Sequence, residues 1–242
     1  MQKLDYNYYY KKWHSNSQEA IDREVNFCAN LLRPYINNIK HRSLLDVGCG
    51  TGLALLAAKK LGVTDVCGVD IDPLQSQTAQ SRGLDVVCAE DTVDFLDKHR
   101  AQFDIILCMD VIEHIDCSLQ LPFTQAIYRT IKPGGDFLCT VPNANSTLAM
   151  RWRYNDFTHC SSFTEDSLDF LLHNAGFVDI AVTSMEFISR PKFWYLPVAG
   201  SRHWWAFCFF RWFRRLQVMA ELGPQVGRKL PLSLNLLGYA KK

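Results

Sequence analysis

The run Leu44-Leu-Asp-Val-Gly-Cys-Gly-Thr-Gly52 constrains the fold more than any other stretch of the chain. A short apolar segment that ends in glycines reads as a strand running into a tight turn. The glycines let the backbone approach a ligand closely. Residues 53–61 then read as a helix. In open α/β sheets, such a turn at the carboxyl end of a strand is where ligands bind. The spacing is GxGxG, not the GxGxxG of dinucleotide sites. On this motif alone a nucleotide-binding Rossmann domain remains the alternative.

The rest of the chain alternates in the same way. Residues 17–33 show helical spacing (Ala20, Val25, Cys28, Leu31, Leu32) and stop at Pro34. Residues 66–70 and 85–88 read as strands, with a helix over 73–82 between them. The nearly unbroken apolar run 103–109 suits a strand buried on both faces. A helix over 119–131 ends at Lys132-Pro-Gly-Gly135, ahead of a fifth strand over 137–141. Residues 164–174 form a further helix, with Thr164 as N-cap and Gly176 just past its end. Strands six and seven fall at 177–187 and 232–239. This order predicts an α/β fold with a doubly wound, mostly parallel sheet. The expected division is 1–189 for an N-terminal helix and ligand-binding core, 190–230 for an insertion, and 231–242 for the last strand.

The next anchor is Val69-Asp70-Ile71-Asp72 at the end of the second strand, where an acid can hydrogen-bond both hydroxyls of a ribose. With this pair of motifs the chain resembles the class I S-adenosylmethionine (SAM)-dependent methyltransferases, over residues 43–187. That family carries a DVGCGTG-type loop and a ribose-binding acid after strand two. The resemblance implies a Rossmann-like, seven-stranded sheet with helices on both faces, an antiparallel last strand and a helical aromatic insertion before it. It places Asp46 and Gly48 near the methionine end of SAM, with Cys49, Gly50 and Gly52 completing the loop. Asp70 holds the ribose, and Ile71 and Met109 belong to the same cofactor set. An acid after strand three serves the adenine. Asp91 fits by its spacing to Phe95-Leu96, and an alternative register puts Cys88 there.

Methyl transfer from a sulfonium needs an aligned nucleophile and, for a hydroxyl, a route for its proton. Asp110-Val-Ile-Glu113-His114 follows the fourth strand directly, and in a helical turn Asp110, Glu113 and His114 share a face. His159 precedes the next helix and is expected at the same pocket. Glu113, His114 and His159 are the catalytic candidates, and Asp110, Glu113, His114 and His159 the metal candidates. The pattern resembles metal-assisted O-methyltransferases acting on quinone precursors or RNA 2′-hydroxyls, which implies Mg²⁺ beside the acceptor oxygen. It departs from them in having Asp110 for the first glutamate. A histidine base without metal, and a Glu-His pair that only orders its loop, are the other readings.

Charge and aromatics single out the C-terminal fifth. Residues 190–242 hold ten Lys/Arg and one acid, Glu221, against a net −8 on the rest. Ten aromatics fall within 193–213. The apolar run 204–210 is too short to span a bilayer, and Arg202, Arg211, Arg214 and Arg215 flank it. Segment 193–216 is expected to meet an anionic membrane surface. The other readings are a helix against the core, a dimer contact, or nucleic acid, the last disfavoured by the acidic body.

The nine cysteines are scattered singly, without a CxxC pair, as in a reducing compartment. Met1–Tyr8 lack the apolar core of a signal peptide. A cytoplasmic protein, peripheral at the inner face of the membrane, is expected. The motif order, Phe157-Thr-His-Cys-Ser-Ser-Phe-Thr164 and Leu171-Leu-His-Asn-Ala-Gly-Phe177 are also similar to bacterial cell-envelope glycan methyltransferases of the O-antigen or capsule type. This implies O-methylation of a sugar hydroxyl on a lipid-linked or membrane-proximal glycan. A membrane-soluble small-molecule acceptor such as a quinone precursor is the alternative, and a non-catalytic SAM-binding scaffold is the reading from another class.

Overall fold

The computed structural model describes residues 17–36, 42–188, 190–192, 194–196 and 198–242. The N-terminal leader reading, and Phe193 and Pro197 of the aromatic segment, lie outside these residues. The chain divides into two units. One comprises residues 1–109, 122–138 and 241–242, the other 110–121 and 139–240.

The first unit opens with helix α1 (Gln18–Leu32), capped by the Ser17 side chain. Then β1 (Ser43–Val47), α2 (Leu53–Lys60), β2 (Asp65–Asp70), α3 (Pro73–Ser81), β3 (Asp85–Cys88), α4 (Thr92–Lys98) and β4 (Phe103–Met109) alternate. β1 is parallel to both β2 and β4, and β2 is parallel to β3. β1 is buried at every position, as its apolar run requires. Asp104 anchors the start of this sheet. Its carboxylate accepts from the Ser43 amide (2.9 Å) and from Lys132 Nζ (2.8 Å).

α5 (Cys117–Thr130) and β5 (Ile131–Pro142) pass from one unit to the other. The second unit holds a 3₁₀ turn (Ile112–His114), α6 (Ala149–Asn155), α7 (Glu165–Ala175), β6 (Val178–Met185), α8 (Ala199–Leu222), α9 (Pro224–Gly227) and β7 (Asn235–Lys241). The seven strands form one sheet of order β3-β2-β1-β4-β5-β7-β6. The Asn143 amide donates to Leu234 O (2.9 Å) and the Lys242 amide to Gly135 O (3.1 Å), so β7 runs antiparallel to β5. The expected Rossmann-like fold, with its antiparallel last strand and helical insertion, is the fold observed.

Three departures from expectation have an identifiable local cause. Lys132–Gly135 lies inside β5 rather than before it, because the chain end supplies a ladder partner there: Gly134 N donates to Lys242 O (3.1 Å). β7 begins at Asn235 rather than 232, because the Pro231 and Ser233 carbonyls accept from the Asn143 side chain instead of a strand (3.1 and 2.8 Å). The third concerns the turn after β4 and is described with the site. The Thr164 cap forms a capping box with Ser167, and Gly176 ends α7 at φ 111°.

Candidate active site

The glycine loop lies between β1 and α2 in the first unit. Gly48, Gly50 and Gly52 have φ of 73°, 51° and 81°. At Gly52 a side chain is doubly excluded. The left-handed φ disfavours a Cβ, and an added one would meet Leu84 and lie 3.3 Å from Ala79 Cβ. Asp70 ends β2 buried, with one carboxylate oxygen on the Gly50 amide (2.7 Å) and the other on the Asp72 amide (2.8 Å). Two loops are thereby fastened to one side chain.

Asp46, in β1, is 2% exposed, and its Oδ1 has no hydrogen-bond partner. Burial first, and the Asp70 carboxylate second, push its carboxyl up to about 8. A buried acid with an unpaired oxygen, at the start of the glycine loop, is suited to a cationic ligand group. Gln75 Oε1 is also buried and unpaired, 3.7 Å from a Cβ built on Gly50. Sequence reading passed over Gln75, which sits in an otherwise ordinary helix start. Cys49 is buried, and burial pushes its thiol up. Ile71 is exposed and Met109 half-buried. Asp91 is exposed and caps α4 through the Asp94 amide (3.0 Å). Cys88 pairs in register with Asp70 at the end of β3. The acids and glycines of this unit fit SAM, whose sulfonium and ammonium supply the positive charge Asp46 lacks.

In the second unit Glu113, His114 and His159 each offer a ligand atom, all within 4.8 Å of one another. Asp110 is not in this group. It stands at φ 54°, a left-handed conformation that Asp tolerates. Its amide turns back onto Thr140, donating to O (3.1 Å) and Oγ1 (3.0 Å). The turn that follows is 3₁₀ and begins at Ile112, so the shared helical face expected for Asp110, Glu113 and His114 does not form. The Asp110 carboxylate instead accepts from Asn235 Nδ2 (2.8 Å).

The tautomers of both histidines follow from their partners. Thr158 Oγ1 donates its proton to Asp156 (2.6 Å), so it accepts from His114 Nδ1 (2.8 Å). His159 Nδ1 faces the Trp152 carbonyl (3.0 Å), which only accepts. Both Nδ1 atoms therefore carry hydrogen, which leaves Nε2 as the atom that each ring offers to a ligand. The rings meet edge to face at 4.6 Å. Burial first, then His159, hold the His114 imidazole down at about 4, so it is neutral at pH 7. Glu113 is 1% exposed, with Oε2 unpaired, and burial followed by Asp110 raises its carboxyl well above the usual range. The Cys160 amide donates to Glu113 O (2.7 Å), which fixes the histidine loop on the turn.

An unpaired buried carboxylate oxygen and two imidazole nitrogens fit a divalent cation. Two nitrogens and one oxygen match Mn²⁺, Fe²⁺ or Zn²⁺ more closely than Mg²⁺, which prefers an all-oxygen shell. Of the residues that orient the histidines, Thr158 lies within the Phe157–Thr164 run, whereas Asp156 and Trp152 carried no motif in the sequence. Trp152 acts through its backbone, where no side-chain pattern could reveal it.

Residues 13–182 match the family model described as "Methyltransferase domain". A ubiquinone biosynthesis O-methyltransferase of Ruegeria pomeroyi is 30% identical over 171 residues, 64% of this chain and 64% of its own length. The match thus spans less than two thirds of that relative. A SAM-dependent methyltransferase from Archaeoglobus fulgidus superposes with a TM-score of 0.68 at 21% identity, covering 99% of this chain and 100% of that one. A Haemonchus contortus phosphoethanolamine N-methyltransferase 2 in complex with S-adenosyl-L-methionine gives 0.59 at 19% identity, covering 100% and 60%.

Proposed function

Because the chain belongs to the class I SAM-dependent methyltransferase family, we propose that it O-methylates a phenolic hydroxyl on a lipophilic small molecule of the quinone-precursor class. SAM supplies an electrophilic methyl. Asp46, Gly48, Gly50 and Asp70 bind and orient it, and Glu113, His114 and His159 receive the acceptor oxygen and its proton.

The observation that carries this choice is the match to a relative named ubiquinone biosynthesis O-methyltransferase. The chemistry agrees with it: a phenol ionises at about 10, an alkyl hydroxyl only near water's value of about 15.7, so a sugar hydroxyl is the harder acceptor. Glu113, His114 and His159 could hold a divalent cation, which would stabilise the oxyanion. The glycan acceptor rests on sequence resemblance alone.

The test is transfer of radiolabelled methyl from SAM to a prenylated catechol and to reducing-sugar acceptors, after EDTA and after addition of Mn²⁺ or Mg²⁺. Methylation of the catechol, lost with EDTA and restored better by Mn²⁺, is expected. Transfer to the sugars alone would replace the phenol with the glycan. SAM binding without transfer to any acceptor would leave the scaffold reading.

A further inference from the structure

Helix α8 has its faces reversed. A surface helix ordinarily turns its apolar stripe to the core and its charges to water. Here Trp205, Phe209, Trp212, Phe213 and Leu216 are each 42–58% exposed. At positions i, i+4, i+7, i+8 and i+11 they fall in one arc of about 100°, and span about 16 Å along the axis. The opposite arc carries Phe207, Arg211, Arg214, Arg215 and the buried Val218. Two of the arginines there are tied inward. Arg211 pairs with both oxygens of Glu186 (2.8 and 3.0 Å), and Arg215 donates to the Gly227 and Leu230 carbonyls (both 2.6 Å).

The match to the family model ends at residue 182, ahead of this helix. Among the described residues no helix is long and apolar enough to cross a membrane. We propose that α8 lies in the plane of an anionic lipid surface, with the Trp205–Leu216 stripe in the headgroup–acyl boundary. This does not depend on the acceptor chosen above.

Three observations favour lipid over a second copy of the chain. Four of the five stripe residues are aromatic, as in interfacial anchors, whereas a helix pair favours aliphatic knobs with flanking charges of both signs. Trp205 already donates its Nε1 hydrogen to the Trp194 carbonyl (3.0 Å), so its ring enters an apolar layer without losing a bond to water. The charge is also one-signed. Residues 190–242 carry a single acid against ten Lys/Arg, and Arg202, Arg228 and Lys229 are exposed. Beside the stripe, a cavity of about 510 Å³ is lined by Met185, Ile188, Phe207, Phe210, Phe213 and Leu232. Phe210 and Phe213 are among its exposed members, which gives a hydrocarbon tail a place next to the docked face.

The test uses the full chain with vesicles of phosphatidylglycerol and phosphatidylcholine, with phosphatidylcholine alone, and without lipid. Co-sedimentation with the anionic vesicles, weakened by salt, is expected. The triple variant Trp205→Ser, Phe209→Ser, Trp212→Ser should lower that partition by on the order of tenfold or more. The variant Arg228→Glu, Lys229→Glu leaves the stripe intact and should weaken only the anionic binding. Quenching of tryptophan emission by lipids brominated along the acyl chain checks insertion in the wild type. Absence of vesicle binding, or binding that survives the triple variant, overturns the proposal. So does lipid-free dimerisation, seen by sedimentation velocity, that the triple variant abolishes. Methyl transfer to a water-soluble acceptor should be equal in wild type and both variants, which separates failure here from failure of the proposed activity.

Discussion

Removing the charge of Asp46 gives the most decisive test of the cofactor site. Its carboxyl is held at about 8 in the ligand-free chain. About nine in ten molecules are then protonated there at pH 7. SAM brings a sulfonium and an ammonium, and favours the ionised acid. Binding should therefore release about 0.9 proton per SAM at pH 7. The sign follows directly: affinity is weak where Asp46 is protonated and rises as pH climbs toward 8. Between pH 6 and pH 7 the ionised fraction grows about ninefold, and the association constant with it. Titration calorimetry in two buffers of different ionisation enthalpy reads the proton release directly. Asp46→Asn should bind SAM more weakly, with little proton release and a flat pH profile over this range. Release near zero in the wild type, or equal release from the variant, would refute the assignment of Asp46 to the cofactor's cationic end.

Three further outcomes are expected. His114→Ala and His159→Ala should each cut turnover by about a hundredfold while SAM affinity stays within about twofold, since general acid–base groups contribute on that scale; unchanged turnover removes that histidine from the chemistry. Thr158→Val, which keeps shape but deletes the acceptor for His114 Nδ1, should cost about tenfold in activity or metal affinity with the melting curve little changed, as for other partners that orient ligands. Gly52→Ala and Gly62→Ala separate strain from crowding. Both positions have left-handed φ (81° and 98°), but an added Cβ meets Leu84 and Ala79 at Gly52 and nothing within 4 Å at Gly62. Urea titration should show about 1 kcal/mol lost at Gly62 and about 2–4 kcal/mol at Gly52; equal losses would mean that the neighbours of Gly52 yield.

The first unit was legible because its strands are short apolar runs with glycine or acid at their carboxyl ends, and burial on both faces leaves little ambiguity. β1 and β4 could be placed almost to the residue for this reason. Elements with weak periodicity were not visible. α4 buries only Phe95 and Leu96, and α6 buries nothing, so neither writes an apolar stripe into the sequence. At the site, Glu113 and the two histidines were readable from residue type and order. The helical face expected to include Asp110 does not form, because a positive φ, which no local pattern announces, turns the chain before the 3₁₀ turn starts. The histidine tautomers depend on Thr158 and on a carbonyl, contacts made only by tertiary folding. In α8 the stripe was present in the spacing, but spacing does not say which side of a helix faces out.

The two hydrogen bonds that Asp70 accepts from backbone amides have a kinetic meaning. They tie the glycine loop to the turn after β2 before any ligand arrives. The ordering entropy of that loop is spent when the chain folds, not when the cofactor docks. Association should then be a single step, linear in SAM concentration and without a slow isomerisation phase. Exchange of spent cofactor for fresh is set by how fast each leaves, and a cell can run the enzyme at the tempo of its product's departure.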